Sequence, residues 1–157
     1  RDVAVTGVQT CALPICKHLA TDLCKRMDAV AQSVKKLHAH APGVQARYRE
    51  QLAQRLRTAG IDVDPANDER LLKELVIFAD RSDITEELTR LESHFQQFEA
   101  CQKSKEPVGR TLDFLSQEMN REINTIGSKG NSTEISREVV FLKTEMEKFR
   151  EQVQNIE

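Results

Sequence analysis

Thr133-Glu-Ile-Ser-Arg-Glu-Val-Val-Phe-Leu-Lys-Thr-Glu-Met-Glu-Lys-Phe-Arg-Glu-Gln-Val-Gln-Asn-Ile156 decides the fold. Ile135, Val139, Leu142, Met146, Phe149, Val153 and Ile156 alternate steps of four and three without a fault. That is the spacing of one apolar stripe along a long helix, packed in a bundle or across a subunit interface. Thr133 stands where a cap for it is expected, after the loop Gly127-Ser-Lys-Gly-Asn-Ser132.

Outward from this helix the same period recurs. Leu19, Leu23, Met27, Val30, Val34 and Leu37 mark a helix from Lys17 that Pro42 ends. Val44, Tyr48, Leu52 and Leu56 mark a second, closed by Gly60 in a left-handed cap, so 17–63 reads as a helical hairpin with its link. The stretch 64–157 then reads as a helical domain. It begins with a short helix through Leu71, Leu72, Leu75 and Phe78, ending near Ala79. Asp83 and Glu86 form a capping box for a helix through Ile84, Leu88, Leu91, Phe95 and Phe98. After Lys105-Glu-Pro-Val-Gly109 another helix runs from Val108 to Ile126. The chain is therefore all-α, built of elongated helical hairpins or a bundle with heptad-patterned long helices. Such stripes often need a second subunit, so an oligomer is expected.

Composition agrees and excludes several function classes. The 157 residues carry 23 Lys+Arg against 25 Asp+Glu, a net charge of −2, so no overall basic field marks a duplex-coating protein. Gly and Pro number only 6 and 4, and no apolar run is long enough to span a membrane. No GxSxG, HExxH, CxxC, Walker or EF-hand spacing occurs. Aromatic residues make up 4%, too few for a base-stacking platform of the kind used on single strands.

Residues 1–16 stand apart. Val5 to Ile15 shows neither helical nor strand period and back-translates into a common sequencing-library adapter, so 1–16 is read as non-native. The expectation is a C-terminal fragment of a longer protein. Cys11 and Cys16 fall in that segment, leaving Cys24 and Cys101 far apart, which fits a reducing cytoplasm rather than a disulfide or zinc framework.

Chemistry concentrates in the helix after Val108. Asp113, Gln117, Asn120 and Asn124 follow steps of four, three and four, lining one face with a carboxylate and three amides. Asn is a poor helix former, and Glu or Lys would solubilise such a face at lower cost. Beside the stripe lie Glu118 and Glu122, one turn apart, flanked by Arg110 and Arg121. Such carboxylates can hold a divalent cation, and guanidinium groups suit phosphate. The plainer alternative is a set of solvated ion pairs and an amide ladder locked between helices. In Arg90-Leu-Glu-Ser-His94, Glu92 and His94 diverge by about half a turn and cannot chelate one ion together, though either could join a site with another helix or subunit.

Gly109-Arg-x-Leu-Asp-Phe114, Gln117-Glu-x-Asn-Arg-Glu122, Asn124-Thr125, Ser128-Lys129, Arg150 to Glu157, and Glu86-Glu-Leu-x-Arg-Leu-Glu-x-His94 together resemble the C-terminal portion of the bacterial YicC/YloC family, from about Lys17 onward. In that family an α/β-type domain precedes this region. The resemblance implies a metal-dependent endoribonuclease that cleaves small RNA in the cytoplasm as a ring-like homo-oligomer, a hexamer at full length. It places Glu118 and Glu122 as catalytic, and Glu92, His94, Glu118 and Glu122 around a Mn or Mg ion. Arg110, Arg121 and Lys129 would hold RNA phosphates, with Asp113, Gln117, Asn120 and Asn124 ordering that shell. The competing reading is a non-catalytic helical oligomerisation or RNA-clamp module.

Overall fold

The computed structural model describes residues 14–61, 68–104 and 106–154. Six helices occur among them, α1 (Pro14–His40), α2 (Pro42–Thr58), α3 (Glu69–Ser82), α4 (Thr85–Lys103), α5 (Gly109–Lys129) and α6 (Thr133–Gln154), with no strand. The all-α reading holds, and the layout is specific. Helix α6 packs on α1 and α5, α5 on α4, and α4 back on α1, so these four close a ring around one core.

Cross-helix bonds set the directions. Arg26 with Glu145 and Ser33 with Glu138 run α1 antiparallel to α6, and Cys24 with Gln102 and His38 with Glu92 run α1 antiparallel to α4. Arg90 with Glu122 and Lys129 with Glu87 do the same for α4 and α5. The result is an antiparallel four-helix bundle of the kind that buries heptad stripes. The whole described part of the α6 stripe lies inside this single chain, Leu142 and Met146 at 0% exposure, with Phe98 and Phe149 meeting edge-on at 5.7 Å. The stripe's last expected member, Ile156, lies outside the described residues. That stripe thus finds its partners within the chain rather than across a subunit boundary.

Helices α2 and α3 pack on each other at the side of the bundle. Ala41 keeps right-handed helical dihedrals between α1 and α2, and Pro42, which needs no amide partner at a first helical position, starts α2. α1 makes its largest contacts with α6, and α2 makes its own with α3, where Tyr48 stacks on Phe78 at 3.6 Å. The hairpin pairing is therefore α2 with α3, and α1 shares the core of α4, α5 and α6.

Local signals explain the ends. Gly60, at φ 77, closes α2 as expected, with Gly60 N–H donating to the Arg57 carbonyl and Ile61 N–H to that of Leu56. Asp83 accepts the Thr85 N–H at 2.9 Å, but Glu86 turns to Arg90 instead of completing a capping box. Ser132, not Thr133, caps α6 by accepting the Ile135 N–H at 3.2 Å. Helix α5 runs on to Lys129, and Gly130 stops it where any Cβ would lie 2.3 Å from Ile135 Cγ2. Helix α1 begins at Pro14, three residues before the expected start. Residues 1–13 lie outside the described part.

Candidate functional site

Helix α5 carries two polar flanks on either side of a buried face made by Leu112, Leu115, Met119, Ile123 and Ile126. One flank faces α4. Glu87 and Glu122 are 2% and 5% exposed there, and each is met by a cation. Lys129 Nζ lies 2.8 Å from Glu87 Oε1 and donates to the Asp83 carbonyl at 3.0 Å. Arg90 Nε lies 2.9 Å from Glu122 Oε2, an ion pair whose N–H misses a straight hydrogen bond, and Arg90 also pairs with Glu86 and Glu87. The Glu122 carboxylate beside it raises the Arg90 guanidinium above its ordinary value. Burying charges this way is tolerable only because they are paired.

Glu118 stands one turn before Glu122 on α5 and His94 one turn after Arg90 on α4, so in this antiparallel pair both lie toward the same end of the seam. No hydrogen bond or ion pair joins them, and His94 Nδ1 is buried with no hydrogen-bond partner among the described residues. A half-buried carboxylate and an orphaned imidazole nitrogen are each of a type that a divalent cation takes as ligand. Glu92 is elsewhere: on the far side of α4 it meets His38 of α1 at 3.1 Å. Among the described residues, no three His, Cys, Asp or Glu side chains converge in a metal-holding group, so Glu92, His94, Glu118 and Glu122 do not come together within one chain.

The other flank of α5 faces α6 and is open. Gln117, Asn120, Arg121, Asn124, Thr125 and Ser128 line a groove of about 660 Å³ closed on the α6 side by Arg150. The Asn120, Arg121 and Asn124 side chains make no hydrogen bond or ion pair among the described residues. The amide stripe is thus not a ladder locked between helices. Asp113 stands behind it, taking the Gln117 amide N–H at 2.7 Å and lying 3.8 Å from Arg150 Nε. Arg110 is exposed in the first turn of α5, near the exposed Phe114.

Apart from Glu92, tied to His38, and the exposed Arg110, the candidates separate into three groups. Gln117, Asn120, Arg121 and Asn124 share the groove, with Asp113 supporting it. His94, Glu118 and Glu122 share the α4 seam, where Glu122 is already held by Arg90. Lys129, expected on phosphate, has its ammonium committed to Glu87 and the Asp83 carbonyl. Arg150 was not among the candidates. Its signal was its place in the α6 heptad, just beside the buried stripe and turned toward α5.

The described residues thus form a helical bundle with a guanidinium-flanked polar groove and an acid-rich seam on the same helix. Residues 37–157 match the family described as endoribonuclease YicC-like, C-terminal, and the chain belongs to that family. It is 42% identical over 141 residues to a probable endoribonuclease YicC of Clostridioides difficile, covering 90% of this chain and 48% of that protein. It is 39% identical over 133 residues to a probable endoribonuclease YicC of Haemophilus influenzae, covering 85% of this chain and 45% of that protein. The chain thus spans about half the length of these relatives.

Proposed function

We propose that this chain is the C-terminal helical part of a metal-dependent endoribonuclease that cuts small RNA. The observation that carries this is the set of unpartnered Asn120, Arg121 and Asn124 side chains lining an open groove. Two poor helix formers with no structural partner fit a face kept for a ligand, and paired amides beside guanidinium groups suit RNA. Arg121 and Arg110 hold phosphates, while Asp113 positions the neighbouring polar groups.

On the other flank Glu118 and His94 are the residues to hold a Mn or Mg ion, with Glu122 held in place by Arg90. Such an ion lowers the pKa of bound water and neutralises charge on a scissile phosphate. Glu92 could join only from another subunit, given its tie to His38. Assembly as a homo-oligomer, a hexamer at full length, and a cytoplasmic location belong to the same proposal; the unbonded Cys24 and Cys101 fit a reducing compartment. Among the described residues no helix is long and apolar enough to cross a membrane.

The second reading, a non-catalytic clamp or oligomerisation module, is favoured by the Glu87–Arg90–Glu122–Lys129 network, whose two buried carboxylates lock α4 to α5. A cleavage assay separates the two, using a protein that carries this chain at the full length of its relatives. Glu118→Gln abolishes chelator-sensitive cutting and leaves the melting temperature unchanged if the enzyme reading holds. Unchanged cutting, or loss of melting temperature together with activity, favours the module.

A further inference from the structure

The lining of the α5–α6 groove is uneven in a way that bears on which base it takes. Gln117 donates one amide N–H to Asp113 at 2.7 Å, and a carboxylate can only accept, which fixes which end of the amide is nitrogen and leaves the Gln117 carbonyl oxygen free to accept. Thr125 donates its hydroxyl proton to the Arg121 carbonyl at 3.1 Å, and Ser128 donates its own to the Thr125 carbonyl at 2.8 Å. Both hydroxyls are thereby reduced to acceptors on the groove side. These three acceptors run along about 16 Å of helix, from the rise per residue between Gln117 and Ser128. The charged donors are the two guanidinium groups, Arg121 on α5 and Arg150 on α6.

A groove with cations on its flanks and acceptors on its floor sorts the parts of a nucleotide. Phosphate oxygens go to the guanidinium groups, because only they carry positive charge there. The Thr125 and Ser128 hydroxyls have no proton left for the C4 carbonyl of uracil. The floor complements an exocyclic amino group, the N4 amine of cytosine or the N6 amine of adenine, which donates two protons. Asn120 and Asn124, with unpartnered amides, can turn either way and supply the donor that the neighbouring ring nitrogen needs.

We propose that the α5–α6 groove binds unpaired RNA with its phosphates on Arg121 and Arg150 and reads amino-bearing bases, cytosine and adenine, in preference to uracil through Gln117, Thr125 and Ser128. This rests on the reading of the chain as an RNA-handling domain. Arg150 is a binding residue in this arrangement, and Asp113 is a positioning residue that fixes the Gln117 amide and restrains Arg150.

Fluorescence anisotropy of the 157-residue chain with single-stranded oligocytidylate and oligouridylate of equal length tests this across a salt series. These two pyrimidines differ at C4, amine against carbonyl, and at N3, an acceptor in cytosine and a donor in uracil. Oligocytidylate should bind about fivefold to tenfold tighter, the scale of one or two discriminating contacts. The double variant Gln117→Met with Thr125→Val removes two acceptors while keeping shape and helix propensity, and should bring the ratio to about one with an unchanged salt slope. Arg150→Gln should weaken both oligomers alike and lower the slope by about 0.7. Equal affinities with an ordinary salt slope, or a preference that survives the double variant, overturn the base readout and leave the RNA reading standing. Absence of binding to either oligomer at low salt overturns both.

Discussion

Arg90 Nε on α4 lies 2.9 Å from Glu122 Oε2 on α5, so a carboxyl group 5% exposed is paired with a guanidinium from the neighbouring helix. Arg90→Met leaves Glu122 and Glu87 short of their partner. Because the Arg90 side chain is 40% exposed, water reaches the gap, and the expected cost is about 1–3 kcal/mol rather than the full penalty of a buried orphan charge. For a chain of this size that lowers the melting temperature by roughly 2–10 °C. Adding Glu122→Gln to Arg90→Met should cost less than the sum of the single changes, read by circular dichroism, since the second removes what the first orphaned. Strict additivity would show that the pair is uncoupled.

Gly130→Ala is expected to destabilise by about 1–3 kcal/mol, the range for overpacking. The new Cβ would stand 2.3 Å from Ile135 Cγ2 and 2.8 Å from the Ile126 carbonyl oxygen, and both belong to the α5–α6 junction. Urea denaturation reads the shift. Unchanged stability would mean that the two helices can separate at Gly130 without loss.

Asp83 carries a pH signature. Hydrogen bonds from the Thr85 hydroxyl and then its backbone N–H hold the Asp83 carboxyl below its ordinary value. A depressed carboxyl contributes stability that is fully present above the unfolded value, about 3.9, and is lost as pH falls through the lower folded one. Asp83→Ala should therefore cost about 1 kcal/mol at neutral pH, as for a lost helix cap, and progressively less below about pH 4. Stability curves for both proteins from pH 7 to 2.5 decide this, and a gap that does not narrow counts against the cap.

Arg121 and Lys129 should respond in opposite ways. Arg121→Gln is expected to leave the melting temperature in place and to lower the salt slope of RNA affinity by about 0.7, the value for one phosphate contact on a single strand. Lys129→Met is expected to lower the melting temperature, because its ammonium is held by Glu87, and to leave the salt slope alone. Thermal melts and salt titrations on the two variants distinguish the roles.

The helices were legible because their apolar period is regular, from Leu23 to Leu37 and from Ile135 to Val153, and each of these residues is buried. Side-by-side arrangement was less so. Nothing in the spacing of Val44, Tyr48 and Leu52 says whether α2 leans on α1 or α3, a choice made by the stacking of Tyr48 on Phe78. The amide stripe of Gln117, Asn120 and Asn124 was readable from poor helix formers at helical spacing, and it does line a groove. The fate of Glu122 and Lys129 was not, since a charged residue beside a helix's apolar face is solvated or buried according to what the opposite helix offers. Here Arg90 and Glu87 offer partners. Arg150 escaped notice because its meaning depends on α6 lying antiparallel against α5.

Side-chain NMR during titration with single-stranded RNA tests the central proposal most directly, because it reads the groove amides and guanidinium groups themselves. The NH₂ signals of Gln117, Asn120 and Asn124 and the Nε–H signals of Arg121 and Arg150 should move together and saturate at one RNA concentration, while signals from α2 and α3 stay put. Saturating shifts confined to α2 and α3, or RNA binding that leaves those five side chains unmoved, would contradict it.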